Sequence, residues 1–340
     1  MSDKTNLGCG CFAALATLMA AACLVAVAFA FILGGICSQC ADTDGGAKEE
    51  RVPERELVLG SDEADASPIL RVKIDGEISF DSRQGFLNGL ETASSAKTAL
   101  RHIRAAERDE DIEGLLIELN TPGGGVTESD EIWHAVRRFR ESQTNRFVVV
   151  HMGAMCCSGG YYIASAADFV MARPTTLTGS IGVIMSTVNA AELAKKVGVE
   201  SVNITSGGNK ALLDPLQPVS PEHVEIMKRA IMADYERFVG IVAQGRSLPK
   251  DRVRQLADGR IFSAADALKE KLVDAIGYRE DVLLELENLA DNDIGVYQYK
   301  TELTFDLASL GGLCSDCISR LADAIVMRAL ARPSIQHLYR

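Results

Sequence analysis

The chain has few histidines, few aromatic residues and less positive than negative charge. Five histidines occur in 340 residues, and aromatic residues make up 6%, with one tryptophan at Trp133. Thirty-five basic residues against 47 acidic ones give a net charge of −12, and no basic stripe occurs. The sequence therefore predicts no nucleic-acid partner. The scarcity of histidine also means that a catalytic base has to be sought among few residues.

Charge is absent from a long stretch near the N-terminus. No charged residue lies between Lys4 and Asp42, and residues 11–36 are almost wholly apolar. About 20 apolar residues suffice to cross a bilayer, so this stretch predicts a transmembrane anchor after a short cytoplasmic N-terminus at residues 1–10. A cleaved signal peptide, processed near residues 34–38, is the alternative, although its apolar region is normally only about 7–15 residues long.

The remainder of the chain divides into three parts by composition. Residues 37–67 are polar and acidic, which is typical of a linker that holds a soluble domain away from a membrane. Residues 68–285 form that predicted domain, and residues 286–340 form a C-terminal helical region expected to pack between subunits, to lie on the membrane or to pack within the protomer. Basic residues on the two sides of the anchor are nearly balanced, and the positive-inside rule favours a cytoplasmic N-terminus. We therefore expect a single-pass protein of the cell membrane with an extracytoplasmic domain.

Nine cysteines fall mostly in pairs. Two of these pairs have Cys-x-x-Cys spacing, Cys37 with Cys40 and Cys314 with Cys317, which is compatible with zinc, a disulfide or plain thiols. The pairs are too far apart in the chain to predict a metal site, so we expect no metal and no cofactor.

Strand and helix patterns alternate through the soluble part. This alternation predicts an α/β fold with a mostly parallel, helix-covered sheet, in which function collects at the carboxyl ends of the strands. Strands are predicted at residues 69–78, 114–120, 147–150, 169–172 and 199–204, and helices at residues 97–106, 128–139, 163–167 and 221–243.

Ser158 lies at a predicted strand-to-helix junction and is followed by Gly159 and Gly160. A serine in this position is expected to be exposed and backed by main-chain N–H groups, which is the arrangement that a serine nucleophile needs. An ordinary glycine turn with a helix-capping serine is the alternative.

A second glycine-rich turn, Pro-Gly-Gly-Gly at residues 122–125, follows another predicted strand. The turn lacks the Lys-Ser/Thr pair of a P-loop and the spacing of a dinucleotide-binding motif. Glycine allows a main-chain N–H to approach a reacting carbonyl closely, so an oxyanion hole is the better functional interpretation. A plain turn remains possible.

Histidine is the usual base for a serine nucleophile, but the five positions are unpromising. Only His151 lies at a predicted strand end, and we interpret it as structural. The others are in or beside predicted helices or near the C-terminus: His102, His134, His223 and His337.

Lysine is the other candidate base, and it must be neutral to accept a proton. Burial or adjacent positive charge has to lower its pKa from about 10.4 for that purpose. Lys210 lies in a predicted loop at residues 205–215 and is followed by Ala211, Leu212 and Leu213. A solvated surface lysine is the alternative.

Taken together, four motifs resemble the signal peptide peptidase A family of membrane-bound serine proteases. Their order and spacing match over residues 68–280, and a later signature around Gly259 to Gly277 is also similar. The motifs are Asn-Thr-Pro-Gly-Gly-Gly at 120–125, Met-Cys-Cys-Ser-Gly-Gly-Tyr-Tyr at 155–162, Thr-Gly-Ser-Ile-Gly-Val at 178–183 and Ser-Gly-Gly-Asn-Lys at 206–210.

The resemblance implies a Ser/Lys dyad on a fold shared with Clp protease and crotonase. By this resemblance Ser158 is the nucleophile and Lys210 the general base, while Gly124 and Gly159 offer the oxyanion N–H groups. Ser180 is expected to hydrogen-bond the lysine amine and orient it, with a turn role as the alternative. Residues 68–285 are then the serine peptidase domain.

The resemblance also implies partners. The chain holds one copy of the catalytic unit, and in single-copy members the serine and the lysine come from neighbouring subunits of a homo-oligomeric ring. The implied substrates are signal peptides left in the membrane after cleavage and other short or unfolded peptides. Cys156 and Cys157 replace the usual small residues, so thiol modification beside the nucleophile is a possible route to inhibition.

Three other functions stay open. One is an inactive scaffold of the same fold that binds peptides, and another is an acyl-CoA enzyme of the crotonase fold. The third is a protease of the Clp type that depends on histidine.

Overall fold

The computed structural model describes residues 52–300, apart from residues 62, 64, 82, 85–90 and 93. The predicted anchor at residues 11–36 and the stretch from residue 301 onward lie outside this range. Among the described helices, none combines the length and apolar character that a bilayer crossing requires.

Eleven strands and eight helices are assigned in the described residues. The strands are β1 (Arg55–Gly60), β2 (Ser67–Asp75), β3 (Arg83–Gln84), β4 (Glu91–Thr92), β5 (Gly114–Thr121), β6 (Phe147–Cys157), β7 (Phe169–Ala172), β8 (Leu177–Gly179), β9 (Ile261–Ser263), β10 (Ala275–Ile276) and β11 (Ile294–Tyr299). The helices are α1 (Ser95–Arg108), α2 (Val126–Ser142), α3 (Gly159–Ala164), α4 (Ala191–Val197), α5 (Pro221–Gly245), α6 (Lys250–Leu256), α7 (Ala264–Lys269) and α8 (Arg279–Ala290).

The main sheet is mostly parallel. Its principal order is β1-β11-β2-β5-β6-β7-β10, and β8 and β9 continue from the far end of β6. Only the β1/β11 and β8/β9 pairs of this sheet are antiparallel. Helices follow β5 and β6 as βαβ crossovers require. The predicted α/β class with a mostly parallel, helix-covered sheet is confirmed.

Strand β6 has two successive neighbours on one side. Val149 to Met152 pair with β7, whereas Met155 to Cys157 pair with β8. On the other side Thr121, the last residue of β5, is opposite Cys156. The carboxyl ends of β5, β6 and β8 therefore meet, and Ser158 is the next residue of the chain.

The two faces of the sheet are covered by different helices. Helices α1, α2 and α5 contribute to the large core, and α1 does so through small and aliphatic residues at helical spacing, including Ala96, Ala99 and Ile103. Helix α8 covers the opposite face, where Leu286 packs with Leu116 and other strand residues. Each fully buried aliphatic side chain stabilises the fold by about 1.5–3 kcal/mol.

Most predicted elements are confirmed to within a few residues, including the strands at 69–78 and 114–120 and the long helix at 221–243. The predicted strand at residues 147–150 is longer than expected and extends to Cys157. The predicted helix at 163–167 is displaced, because α3 begins at Gly159 and the glycine pair forms its first turn.

The strand predicted at residues 199–204 is wrong. Helix α4 ends at Gly198, whose φ of 74° turns the chain away. Val202 and Ile204 are then 77% and 98% exposed. Their β-branched side chains favour a strand, but no strand within the described range pairs with this segment.

The sheet reaches beyond residues 68–285. Strand β1 lies within the stretch predicted as a linker, and β11 lies after residue 285, yet the two strands pair with each other. Strand β11 also pairs with β2 in the middle of the sheet. Neither strand has the hydrophobic alternation that would have distinguished it from its polar surroundings in the sequence.

Residues 183–237, which we call the exposed segment, are built differently from the sheet. Only Ala194 is buried within this range. Polar contacts organise part of it: the carboxylate of Asp214 accepts hydrogen bonds from Leu216 N–H, Asn203 and Ser201. These three hydrogen bonds, with the Leu216 N–H first, lower the pKa of Asp214.

Candidate active site

Ser158 occupies a strained position between β6 and α3. Its φ of 51° and ψ of −118° lie in a region that residues with a side chain rarely adopt, and such strain costs about 1–3 kcal/mol. Two hydrogen bonds hold the backbone there: the Ser158 N–H donates to Gly179 O at 2.8 Å, and Ser158 O accepts from Tyr162 N–H at 2.9 Å. The surrounding structure thus imposes the conformation on this residue.

The hydroxyl group of Ser158 does not cap the helix that it precedes. Ser158 is the N-cap residue of α3, yet its side chain makes no capping hydrogen bond. Ser158 thus has the N-cap position of the alternative interpretation but not its side-chain hydrogen bond. The hydroxyl group remains available for chemistry in the cavity described below.

Gly124 packs against the backbone of Ile78. The two residues form an isolated parallel bridge, in which Ile78 N–H donates to Gly123 O and Gly125 N–H donates to Ile78 O, both at 2.9 Å. A Cβ atom at Gly124 would lie 2.1 Å from Ile78 O, so only glycine fits. The bridge uses the carbonyl oxygen of Gly123 and the N–H of Gly125, and the Gly124 N–H is left without an acceptor among the described residues.

Gly159 and Gly123 complete the surroundings of the serine. Gly159 is the first residue of α3, where an N–H has no intrahelical acceptor, and a Cβ atom there would lie 2.2 Å from Ser129 Oγ. Gly123 has a φ of 108°, and its Cβ atom would lie 2.7 Å from Ser158 Cβ. The two glycine-rich turns predicted from separate motifs are therefore in direct contact.

A narrow cavity opens beside Ser158. Gly124 and Gly159 line it together with the serine, and most of its other walls are apolar. Asp234 is the only charged residue among those that line it. The full lining consists of Gly124, Val126, Ser129, Ser158, Gly159, Tyr162, Gly182, Val183, Asp234 and Phe238.

Ser180 lies close to this group along the chain. It follows Gly179, the acceptor of the Ser158 N–H, and its own N–H donates to Arg260 O at 2.8 Å. Its φ of 49° is positive, as for Ser158. Ser180 is half-buried but is not one of the residues that line the cavity.

Lys210 does not line the cavity of its own chain. It lies in the exposed segment, in a turn where its N–H donates to Gly207 O at 3.0 Å, and its side chain is exposed. The apolar residues that follow, Ala211 to Leu213, are half-buried. The structure of one chain thus brings Ser158, Gly124 and Gly159 together and leaves the predicted base elsewhere.

Within one chain the histidines of the described residues do not line the cavity either. His151 lies inside β6, seven residues before Ser158, which at about 3.3 Å per residue places it on the order of 20 Å away. Burial, followed by the charge of Arg173, lowers its pKa. His102 is packed edge-on against Tyr299, and burial lowers its pKa to about 4. His337 lies outside the described range.

The two cysteines beside the serine are buried free thiols. Cys156 is fully buried and Cys157 is 3% exposed. Burial raises the pKa of both thiols, so both remain protonated at neutral pH. Since the thiolate is the reactive form, these cysteines are poorer targets for modification than the sequence alone suggested.

Sequence reasoning missed a polar network that joins three helices at the cavity wall. Tyr162 OH on α3 donates to Asp130 Oδ1 on α2 at 2.5 Å, and Arg237 on α5 donates to the same oxygen at 2.6 Å. Burial and the hydrogen bond with Asp130 raise the pKa of Tyr162. The tyrosine is part of a motif, but its partners lie far from it in sequence, so no local signal could have revealed them.

No group of histidine, cysteine and acidic side chains suited to a metal ion occurs within the described part of the chain. The cysteine pairs at residues 37/40 and 314/317 lie outside that part.

Comparison with known proteins places the chain in a family. Residues 140–293 match the model of peptidase family S49, and this range includes both Ser158 and Lys210. The chain is 36% identical over 206 residues to a putative signal peptide peptidase SppA of Enterococcus faecium, which is 60% of this chain and 59% of that protein. It is 35% identical over 225 residues to the putative protease slr0021 of Synechocystis, which is 66% of this chain and 75% of that protein.

A longer relative is Protease 4 of Haemophilus influenzae, with 33% identity over 226 residues. The match covers 65% of this chain but only 36% of that protein. The family match at residues 140–293 includes Ser158, Gly159 and the residues of α5 that line the cavity. The chain belongs to peptidase family S49 and is a serine peptidase of the signal peptide peptidase SppA type.

Proposed function

We propose that the protein is a membrane-anchored serine endopeptidase in which Ser158 of one copy works with Lys210 of a neighbouring copy. The substrates in this proposal are residual signal peptides and other short or unfolded peptides. The fold in this proposal is that of the Clp protease and crotonase group, and the active form is a homo-oligomeric ring. Residues 11–36 are the anchor, with the peptidase domain on the extracytoplasmic side.

The observation that carries the catalytic part is the conformation of Ser158. A residue with a side chain is held at positive φ, its hydroxyl group does not cap the helix, and two glycine N–H groups without acceptors in the described structure line the same cavity. Backbone strain of this kind clusters at active sites. A plain glycine turn explains none of these three features.

The proposed reaction is acyl transfer to Ser158 followed by hydrolysis. The Ser158 hydroxyl oxygen attacks the peptide carbonyl carbon while its proton passes to the Lys210 amine. The N–H groups of Gly124 and Gly159 donate hydrogen bonds to the oxyanion that forms, which is often the largest catalytic contribution in such sites. The protonated lysine then gives its proton to the departing amine. Water, deprotonated by the same lysine, then attacks the acyl carbon. The bond from this carbon to the Ser158 oxygen breaks, and that oxygen takes the proton back from the lysine.

Placing Lys210 in a neighbouring copy is supported by its surroundings. A lysine that acts as a base needs burial or adjacent positive charge, and the exposed segment gives it neither within one chain. The same segment presents a series of highly exposed apolar side chains, among them Ile184 at 85%, Val188 at 79% and Ile204 at 98%. Exposed apolar side chains are suited to burial in an interface when they form one patch. A second copy that covers it would also bury the lysine next to a Ser158 cavity.

Ser180 has a supporting role in the proposal. It is half-buried and one residue beyond Gly179, which accepts the Ser158 N–H. From there its hydroxyl group could accept a hydrogen bond from the incoming lysine amine and hold it towards Ser158. Ser180→Ala should then lower kcat about tenfold or more with little change in KM, since orientation of a base matters only during the chemical step.

Subunit mixing tests the shared site directly. Full-length Ser158→Ala and Lys210→Ala proteins are each expected to lose activity on an apolar fluorogenic peptide by about a hundredfold or more. When the two are dissociated and reassembled together in equal amounts, about a quarter of the sites of a ring should regain both groups. Ser158→Ala reassembled with itself is the control.

Two outcomes would contradict the proposal. If the mixture stays as inactive as its components although mass spectrometry shows mixed rings, the serine and the lysine do not come from neighbouring copies. If Lys210→Ala alone retains activity, the lysine is not the base. An inactive wild type would favour the peptide-binding scaffold.

A further inference from the structure

We propose that Asp234 selects peptides with a lysine or arginine side chain in the cavity beside Ser158. This inference rests on the proposed function, because it concerns the substrate of the same site. It adds a specificity-determining residue and a chemical class of substrate side chain.

The position of Asp234 follows from helix α5. Asp234 and Phe238 are four residues apart and so lie on one face of this helix. Both line the Ser158 cavity. The network of Arg237 with Asp130 and Tyr162 holds α5 against α2 and α3 at this point.

Asp234 differs from the carboxylates around it in having no partner. Glu236 on the same helix forms an ion pair with Arg254 at 2.8 Å, and Asp130 is paired with Arg237 at 2.6 Å. No hydrogen bond or ion pair of Asp234 occurs within the residues that the structure describes. Within one chain this exposed carboxylate is therefore free to meet a cation from a ligand.

The remaining walls fit the rest of a basic side chain. Val126, Val183 and Phe238 are apolar, and the aromatic ring of Tyr162 adds to them. Lysine and arginine have an apolar stem of methylene groups and a charged head that stays in contact with water or an anion. The cavity of one chain has a volume of only about 20 Å³, so the stem must part these walls to enter, and its charged head would then meet Asp234. A wholly apolar side chain would leave this carboxylate without a partner.

A preference of this kind has a consequence for the proposed substrates. Signal peptides carry a positively charged segment followed by an apolar one. Selection of a basic side chain beside Ser158 would direct cleavage to the boundary between these two segments. The net charge of −12 also attracts basic peptides in general, so the test has to separate Asp234 from the overall charge.

The test compares two peptides that differ at one position, lysine in one and norleucine in the other, with full-length protein in its assembled form. Norleucine has the lysine stem without the ammonium group. The quantity measured is the ratio of kcat/KM for lysine to that for norleucine. We expect a ratio above one for the wild type and a fall of about 3- to 10-fold in Asp234→Asn, the scale of a partly exposed charge pair.

Glu236→Gln is the matched control, since it removes the same charge from the same helix outside the cavity and should leave the ratio unchanged. Asp234→Lys, measured with a glutamate peptide as well, should reverse the preference towards glutamate. The proposal would be overturned if Asp234→Asn had the same ratio as wild type. It would also be overturned if the ratio fell equally in Asp234→Asn and Glu236→Gln.

The failure of the underlying function looks different. If Ser158→Ala still hydrolyses the norleucine peptide, then Ser158 is not the nucleophile, and both proposals fall. If that hydrolysis depends on Ser158 but the lysine-to-norleucine ratio of kcat/KM is the same in Asp234→Asn and wild type, only the specificity proposal fails.

Discussion

The strand end that carries Ser158 and the segment that carries Lys210 are held in place by different forces. Around Ser158, parallel strands with fully buried aliphatic residues and glycines without room for a Cβ atom constrain the backbone. Around Lys210, one residue in the range 183–237 is buried, and polar side chains such as that of the half-buried Asp214 supply the contacts.

This difference shows how one chain can hold its nucleophile and oxyanion groups in place and still lack the base of its active site. The nucleophile and the two glycine N–H groups need exact placement relative to each other, and packing within the chain supplies it. The lysine can act as a base only when it is removed from water. Assembly through an exposed apolar surface would bury it. Activity would then depend on association, which is a way to prevent peptide hydrolysis by isolated chains.

The largest expected effect comes from changing Ser158 itself. Ser158→Gly and Ser158→Ala should each lower kcat/KM at least about a thousandfold, since no nucleophile remains. Glycine also relieves the positive φ that alanine keeps. We expect Ser158→Gly to exceed Ser158→Ala in the free energy of unfolding by about 1 kcal/mol or more, as measured by urea denaturation. Equal stability of the two variants would mean that the backbone is not strained there.

The sequence predicts the structure of the same two regions to different extents. The strand at 69–78 was predictable from its alternation of apolar and polar residues. The strands at 114–120 and 169–172 were predictable because buried parallel strands consist of short apolar runs between turn residues. The contact between the two glycine-rich turns was expected only as a shared sheet edge. The actual contact, with Gly124 on Ile78, depends on a register that no local pattern contains.

The exposed segment was harder to predict. Residues 199–204 have the β-branched composition of a strand, but strand propensity needs a pleated neighbour to pack against, and none is present among the described residues. The Tyr162–Asp130–Arg237 network could not be predicted either, because its members lie on three helices separated by tens of residues. Lys210 was found through its motif, whereas its distance from the cavity became visible only in the structure.

The second prediction compares a glycine from each region. Gly124→Ala would place a Cβ atom 2.1 Å from Ile78 O, so the backbone must shift. We expect a loss of about 1–3 kcal/mol in the free energy of unfolding and, from a misplaced N–H, a fall of about a hundredfold in kcat. Gly208 has nothing within 4 Å of its Cβ position, and Gly208→Ala should change stability by less than about 0.5 kcal/mol. Similar losses in the two variants would contradict the contrast between packed and exposed backbone.

The third prediction separates the fold of one chain from its assembly. Ile204 is 98% exposed, so Ile204→Glu should leave the secondary structure of the protomer intact. It should shift the oligomer towards monomer about tenfold or more, since a buried charge opposes the interface, and activity should fall with it. Leu284→Glu is the control, because Leu284 on α8 is 59% exposed but lies outside the exposed segment. Analytical ultracentrifugation measures the distribution between monomer and oligomer for both variants and wild type. Unchanged assembly in Ile204→Glu would remove the main support for the proposed interface.

The smallest expected effect is the order in which acid weakens the two regions. His102 lies in the packed body, and its pKa is lowered from 6.5 to about 4 by burial. The unfolded chain therefore binds more protons at His102 than the folded one between these pH values, and stability falls as the pH drops from 6.5 towards 4. Asp214 in the exposed segment has a pKa lowered below 3.8. Its contribution persists above pH 3.8 and is lost only as the pH falls through its folded value.

Hydrogen exchange followed by mass spectrometry should thus detect the difference at pH values between 6.5 and 4. As the pH falls, α1 should lose protection against exchange before residues 201–217 do. The accompanying shift in melting temperature should be a few degrees, as for about 1 kcal/mol in a domain of this size. His102→Gln removes the titrating group and should flatten this part of the pH dependence. If His102→Gln and wild type lose protection in parallel, His102 does not control the acid response of the body, and the two regions respond to acid for reasons unrelated to their burial.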